Sequence, residues 1–440
     1  MAAWAAVQAG HSRVSWHFFT TGAALLSSDD PGAGLHLYAT HPQLQIGPLT
    51  FLAATPLNGL PAWLSGAMAV TGIAATGPAM LLSLSRLPQV SMTNRQRGLA
   101  AAVLMPVWAE LAVHYTHLDD ALALVLLLGG MHAVARSRPI PAALLLAASA
   151  GAKPWALAFV PLLMVLPRDR WRRALLVWLP AVAAAWLPFV LADPRTLHAG
   201  GFSIPNVASS SLRVLGVTAA STPSWDRPVQ LLVGVVLGVV AVRRGRWLVV
   251  PAVVLAVRML LDPGAYPYYT SGLVLTTILV DVGWRRTRWP WVSLGVVCGL
   301  YVARCLGPLT PTNAQLGWLR AATLLGVLVI ALGPELRLGS DTGPGDRDRA
   351  GPRDARRAHH HSETVMIRNS QNGPTSGDSS VALIPVIRRS ARSATHKPAG
   401  RRRLRGVPHA ARHRPCLRSV RYLPPGGAVA SHIKSGWVSL

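Results

Sequence analysis

The sequence predicts an all-α, polytopic bundle of transmembrane helices ending in a basic tail. Three observations lead there. Long apolar stretches recur up to about residue 333, the pattern of membrane-crossing helices. Only 14% of residues are charged against 51% hydrophobic, whereas a soluble domain carries about 25% charged. Arginines sit in short clusters between the apolar runs, as cytoplasmic loops do.

The formal net charge of +26 does not point to nucleic acid. From Pro334 to the end there are 20 Lys/Arg and 7 Asp/Glu, so this stretch alone holds +13. Most of the remaining arginines fall in the loop clusters. Membrane lipid, not nucleic acid, is the expected partner. The three cysteines, Cys298, Cys305 and Cys416, show neither a disulfide framework nor a metal-knuckle spacing.

Taken in order, residues 1–46 read as a partial first helix and a first extracytoplasmic loop. The run 1–9 is apolar but only about half a crossing long. It lacks the charged start of a signal peptide, and reads as the end of a first transmembrane helix. The loop holds Asp29 and Asp30, the only carboxylates before Glu110. The Asp-Asp-Pro-Gly order also fits an ordinary turn.

Residues 47–333 form the transmembrane domain. The stretch 47–84 is broken by Pro48, Pro56, Pro61 and Pro78. Its first part, to about residue 60, suits the interface, and the second part spans. Further apolar segments follow at 99–113, 121–135, 140–166, 174–191, 229–242, 247–261, 271–282, 291–306 and 316–332. This gives about nine to eleven spans. Residues 334–440 are rich in Arg, Gly, Pro, Ser and His and read as a disordered cytoplasmic tail, solvated or bound to anionic lipid.

Placing the arginine clusters at 86–97, 136–138, 168–173, 243–246 and 285–288 in the cytoplasm fixes the topology of a multi-pass cell-membrane protein. The parity holds if 47–84 crosses once and 140–166 returns to its own side as two short half-helices. The first loop, His114–Asp120, Lys153, the 193–227 loop and the DPGAYPYY segment then share the extracytoplasmic face.

Glu110, His114, His117 and Asp120 follow the spacing i, i+4, i+7, i+10. On one continuous helix they lie within an arc of roughly 120°. Carboxylates and imidazoles so grouped bind a divalent ion or take a proton from a hydroxyl. A divalent metal is thus possible but not required by the sequence, which names no other cofactor. The plainer reading is a helix ending at the aqueous interface, with Asp119 and Asp120 capping the next one. Lys153 is the only lysine before Lys397 and precedes Pro154 and Trp155. It offers a cation to a phosphate at a helix break, or snorkels from a helix end. Arg258, Asp262, Tyr268 and Tyr269 make either an interfacial aromatic belt or a sugar- and phosphate-binding edge. No Walker loop, GxGxxG after a strand, HExxH or GxSxG is in place for a soluble enzyme.

The order of HLYATHPQLQIGPL, HLDDALALVLLL, a short basic turn, AALLLAASAGAKPWALAFVPLL and a basic cluster resembles the bacterial polyprenol-phosphate-sugar-dependent GT-C glycosyltransferases. It is most similar to the actinobacterial integral-membrane mannosyltransferase-like group, over roughly residues 10–300. The resemblance implies transfer of a sugar, mannose in that group, from a polyprenyl-phosphate donor to a glycan or lipid-glycan acceptor at the extracytoplasmic face. It implies an acid base in the first loop, here Asp29 or Asp30, with Asp119 or Asp120 as a second acid. Lys153 is the implied donor-phosphate contact. His117, Trp155, Arg258, Asp262, Tyr268 and Tyr269 complete the expected substrate site, with no metal assigned. One departure stands out: Ser15 lies where related sequences carry the first-loop Asp. The alternative expectations are a transporter-like membrane protein or a non-catalytic scaffold of cell-envelope assembly.

Overall fold

Residues 13–306 and 311–334 are described by the structure, a computed structural model. Every regular element among them is helical, and the sole strand-like pairing is an isolated bridge between Pro205 and Ser221. The expected end of a first helix at 1–9 and the basic tail beyond 334 lie outside the described residues.

The chain forms α1 (Trp16–Leu26), α2 (Pro48–Asn58), α3 (Ala62–Leu84), α4 (Asn94–Ala109), α5 (Leu118–Ala135) and α6 (Pro139–Ala152). After a 3-10 helix, Pro154–Val165, come α7 (Arg168–Ala192), α8 (Asp226–Arg243), α9 (Val250–Leu261), α10 (Tyr269–Ile278), α11 (Trp291–Leu300) and α12 (Asn313–Leu332). Five helices are long and apolar enough to cross a membrane: Ala62–Leu84, Asn94–Tyr115, Leu118–Ala135, Arg168–Ala192 and Asn313–Leu332. Four more apolar helices are shorter, Pro139–Ala152, Pro154–Val165, Trp247–Leu261 and Trp291–Arg304. Of the expected nine to eleven spans, five are thus long enough to cross and four are shorter apolar helices. These features fit a multi-pass membrane protein.

Contacts between loops give the bundle two distinct ends. At one, Ser83 meets His132 at 2.9 Å, Gln96 bonds the Thr287 carbonyl at 2.9 Å, and Arg170 bonds the Ser137 carbonyl. Arg246 lies over Trp284 there and bonds the Ala331 carbonyl. All the arginine clusters named above gather at this basic end. Its buried acid, Asp281, is a helix cap: it accepts from the backbone N–H groups of Val292 and Ser293 and from the Ser293 hydroxyl. The opposite end holds Asp119, Asp120, Lys153, Asp262 and the first loop.

The hairpin 139–165 links the two ends. Helix α6 runs up from the basic end to Lys153, and the 3-10 helix runs back. Pro154 begins that return and Pro161 lies inside it. A 3-10 helix rises about 2.0 Å per residue, so 12 residues reach as far as about 16 in α form. This lets a short segment return from Lys153 to the basic end.

The segment expected as the first loop carries the helix α1, and a separate apolar cluster fastens it. Trp16, Phe19, Leu37, Tyr38, Leu44, Phe51 and Phe189 are all buried together. The Tyr38 hydroxyl donates to the Ile46 carbonyl at 2.7 Å, and its ring packs edge-on against Phe189 at 5.0 Å. Just past α7, Asp193 accepts from Arg195 at 2.7 Å and faces His36 at 3.8 Å. The Arg195 guanidinium holds the Asp193 carboxyl down at about 2.

Candidate functional site

The site is built where α4 fails to continue. Its last turn widens into a π-helical turn, Glu110–Tyr115, and Thr116 then adopts left-handed backbone with φ 55. A β-branched residue is strained there, and such strain persists only where surrounding contacts hold it. Those contacts come from the start of the described chain. The backbone N–H groups of Arg13, Val14 and Ser15 donate to the carbonyls of Val113, His114 and Tyr115 at 3.2, 3.0 and 3.0 Å. Arg13 is also left-handed, with φ 69.

This break corrects one expectation. Glu110, His114, His117 and Asp120 do not share a continuous helical face, because the π turn and Thr116 change the register between them. Glu110 faces Tyr301 at 3.5 Å instead. His117 now precedes α5, which Asp119 and Asp120 open as first-turn acids.

Both carboxylates are buried, with 2% and 5% of their surfaces exposed, and Lys153 is 6% exposed. Burial at this depth demands pairing. The Lys153 ammonium supplies it, lying 2.8 Å from Asp119 Oδ2 and donating to Asp120 Oδ2. It can reach both because α6 packs along α5 and ends at this height. The Ser149 hydroxyl bonds the Ala123 carbonyl at 2.9 Å and fixes the register. Nδ1 of His117 lies 3.0 Å from Asp119 Oδ1 and 3.4 Å from Asp120 Oδ2. On its other side, Nε2 lies 3.1 Å from the Ser15 hydroxyl. His117, Asp119 and Asp120 lie close enough together to surround a cation; the cation between the two carboxylates is Lys153.

Aromatic rings close the cluster. Tyr268 stacks on His117 with centroids 3.6 Å apart. Lys153 lies 5.8 Å above Tyr268 and 5.9 Å above Tyr269. Arg258 sits 4.0 Å over Tyr269, 4.9 Å over Trp155 and 3.9 Å from Asp262. A cavity of 10 Å³, about one water's worth, is lined by Asp120, Trp155, Arg258, Tyr268 and Tyr269. The buried indole N–H of Trp155 has no partner among the described residues.

Nine of the expected site residues thus lie together: His117, Asp119, Asp120, Lys153, Trp155, Arg258, Asp262, Tyr268 and Tyr269. Asp29 and Asp30 do not join them. Both are exposed in a turn at Gly32, where Asp30 bonds the Ser28 hydroxyl at 2.7 Å and the Ala33 N–H at its carbonyl. The turn reading holds for that pair. The first loop sends Ser15 to the cluster instead. Sequence reasoning flagged Ser15 only as a departure, and missed Arg13 and Thr116, whose backbone angles leave no pattern in the chain. No family model matches the chain, and no curated protein or solved structure matches it.

Proposed function

We propose that this protein is a GT-C-like membrane glycosyltransferase that moves a sugar from a polyprenyl-phosphate donor to an acceptor hydroxyl at the acid-rich, extracytoplasmic end. The observation that carries the reading is the buried cavity where Asp120, Arg258, two tyrosines and the unpartnered Trp155 indole meet. A carboxylate, a cation, aromatic faces and an unused donor are the groups that a sugar phosphate and an incoming hydroxyl need, and the one-water cavity must widen to admit them.

Asp120 is the proposed base, because it lines that cavity and Asp119 does not, although Lys153 pairs with both acids. It takes the acceptor proton as the bond between anomeric carbon and phosphate oxygen breaks. Lys153 and Arg258 balance the charge left on the leaving phosphate. Mannose is the sugar the resemblance suggests.

Membranes carrying Asp120→Asn are expected to transfer sugar from a polyprenyl-phosphate donor at least about 100-fold more slowly than wild type. Unchanged transfer removes Asp120 from the mechanism. A second reading, a non-catalytic protein of envelope assembly, is favoured by Ser15 in the first-loop acid position and by the exposed Asp29 and Asp30. It stands if wild-type membranes transfer no more sugar than membranes lacking the chain.

A further inference from the structure

We infer that Ser15, His117 and Asp119 form a hydroxyl-activating relay, and that Ser15 is a nucleophile toward carboxylic esters at the membrane surface. The three are in line: Ser15 Oγ to His117 Nε2 is 3.1 Å, and His117 Nδ1 to Asp119 Oδ1 is 3.0 Å. The partners fix the tautomer of the neutral imidazole. A carboxylate only accepts, so Nδ1 carries the hydrogen and Nε2 has the lone pair facing the serine. Asp119 is itself fixed by the Asp120 N–H at 2.9 Å and by Lys153 at 2.8 Å. His117 is held by its stack on Tyr268.

Ser15 behaves unlike an ordinary serine at a helix start. It immediately precedes α1, where a serine hydroxyl normally accepts a backbone N–H and caps the helix. Here it makes no cap bond and turns to the imidazole. The positive end of the α1 dipole lies beside it, which favours negative charge developing on an attacked carbonyl oxygen. The left-handed residues Arg13 and Thr116 set the two segments that carry Ser15 and His117.

A second, part-buried serine–histidine pair shows what the relay requires. At the basic end, Ser83 Oγ lies 2.9 Å from His132 Nε2. That Nε2 also lies 3.0 Å from the Ser83 carbonyl, which fixes its hydrogen there. His132 Nδ1 has no partner among the described residues. The nitrogen that meets the hydroxyl thus carries the hydrogen and not the lone pair, and no acid stands behind Nδ1, so Ser83 serves as an internal control.

The step is a two-stage acyl transfer. Ser15 Oγ bonds to the ester carbonyl carbon as its proton passes to His117 Nε2. The carbon–alkoxy bond breaks and the alcohol leaves with that proton. Water then attacks the acyl-serine through the same relay, and the carboxylic acid is released.

The test needs no sugar donor, so its outcome is independent of the glycosyl-transfer reading. The full chain in native membranes is treated with an alkyl fluorophosphonate, and separately with the smaller phenylmethanesulfonyl fluoride. In each, the Ser15 oxygen displaces fluoride. Mass spectrometry is expected to place the adduct on Ser15 and not on Ser83. Ser15→Ala abolishes it, and His117→Asn slows it at least about tenfold. Ser15→Cys keeps the fold testable: its alkylation by iodoacetamide persists at lower pH with His117 present than with His117→Asn. Aryl acetate and dipalmitoyl phospholipid vesicles, offered separately, distinguish a small ester from a lipid one by the acyl mass left on the Ser15 peptide. No adduct at residue 15 with either fluoride reagent overturns the proposal. So does equal labelling of wild type and His117→Asn.

Discussion

Lys153 is the residue on which the acid end depends. Its ammonium is the shared partner of two buried carboxylates. Removing one member of a buried ion group costs about 3–5 kcal/mol, because the others are left uncompensated. Lys153→Met is therefore expected to lower the thermal unfolding temperature in detergent sharply. Adding Asp119→Asn and Asp120→Asn to it recovers part of the loss. If the triple variant is less stable than Lys153→Met alone, the lysine is not the counter-ion of these acids. The importance of Lys153 was legible early, since it is the only lysine among the apolar runs and stands at a proline break. The partnership with Asp119 and Asp120 was legible only as a shared membrane face. Ser15 was not legible as a participant, because a serine in a loop carries no signal of what its hydroxyl meets.

At the level of elements, the sequence periodicity located the helices well and their interruptions poorly. Proline announced the break at Lys153–Pro154, and the structure has it there. The π turn at Glu110–Tyr115 and the left-handed Thr116 are held by the backbone bonds from residues 13–15, a tertiary cause that no local pattern encodes. One further contact depends on backbone proximity. The Gly47 N–H donates to the Ala152 carbonyl at 3.0 Å, and a Cβ at residue 47 would lie 2.2 Å from the Gly151 carbonyl oxygen. Gly47→Ala forces α2 away from the end of α6 and is expected to cost about 1–3 kcal/mol in an unfolding titration. Gly59→Ala, with nothing within 4 Å of the added carbon, is the matched control and stays within about 0.5 kcal/mol. Equal behaviour of the two variants contradicts this account of how the first loop is anchored.

For the whole molecule, the separation of charge into two ends was the feature most fully written in the sequence. Arginine clusters alternate with apolar runs, and the loop contacts bring those clusters together. The uneven rods that connect the ends were less visible, since hydropathy does not distinguish a continuous helix from a proline-broken or 3-10 segment of equal polarity. The orientation is open to direct measurement. Cys305 is exposed beside the acid end, where Arg304 bonds the Ala265 carbonyl at 2.8 Å. In a Cys298→Ala, Cys416→Ala background, a membrane-impermeant maleimide added to intact cells should label Cys305. With Cys305→Ala and Arg286→Cys added, labelling should require permeabilised cells. The reverse pattern inverts the topology and moves the candidate site to the cytoplasm.

The pairing of Lys153 with Asp119 and Asp120 has a consequence for how the chain enters its membrane. The two acids leave the ribosome before their counter-ion, which lies 33 residues beyond Asp120. Until the Pro139–Ala152 segment arrives, α5 carries two uncompensated charges, a state that lipid disfavours. The two helices therefore become stable guests of the bilayer only as a pair. Lys153 marks the point in synthesis at which the first half of the bundle can be released into lipid with both acids paired to a cation.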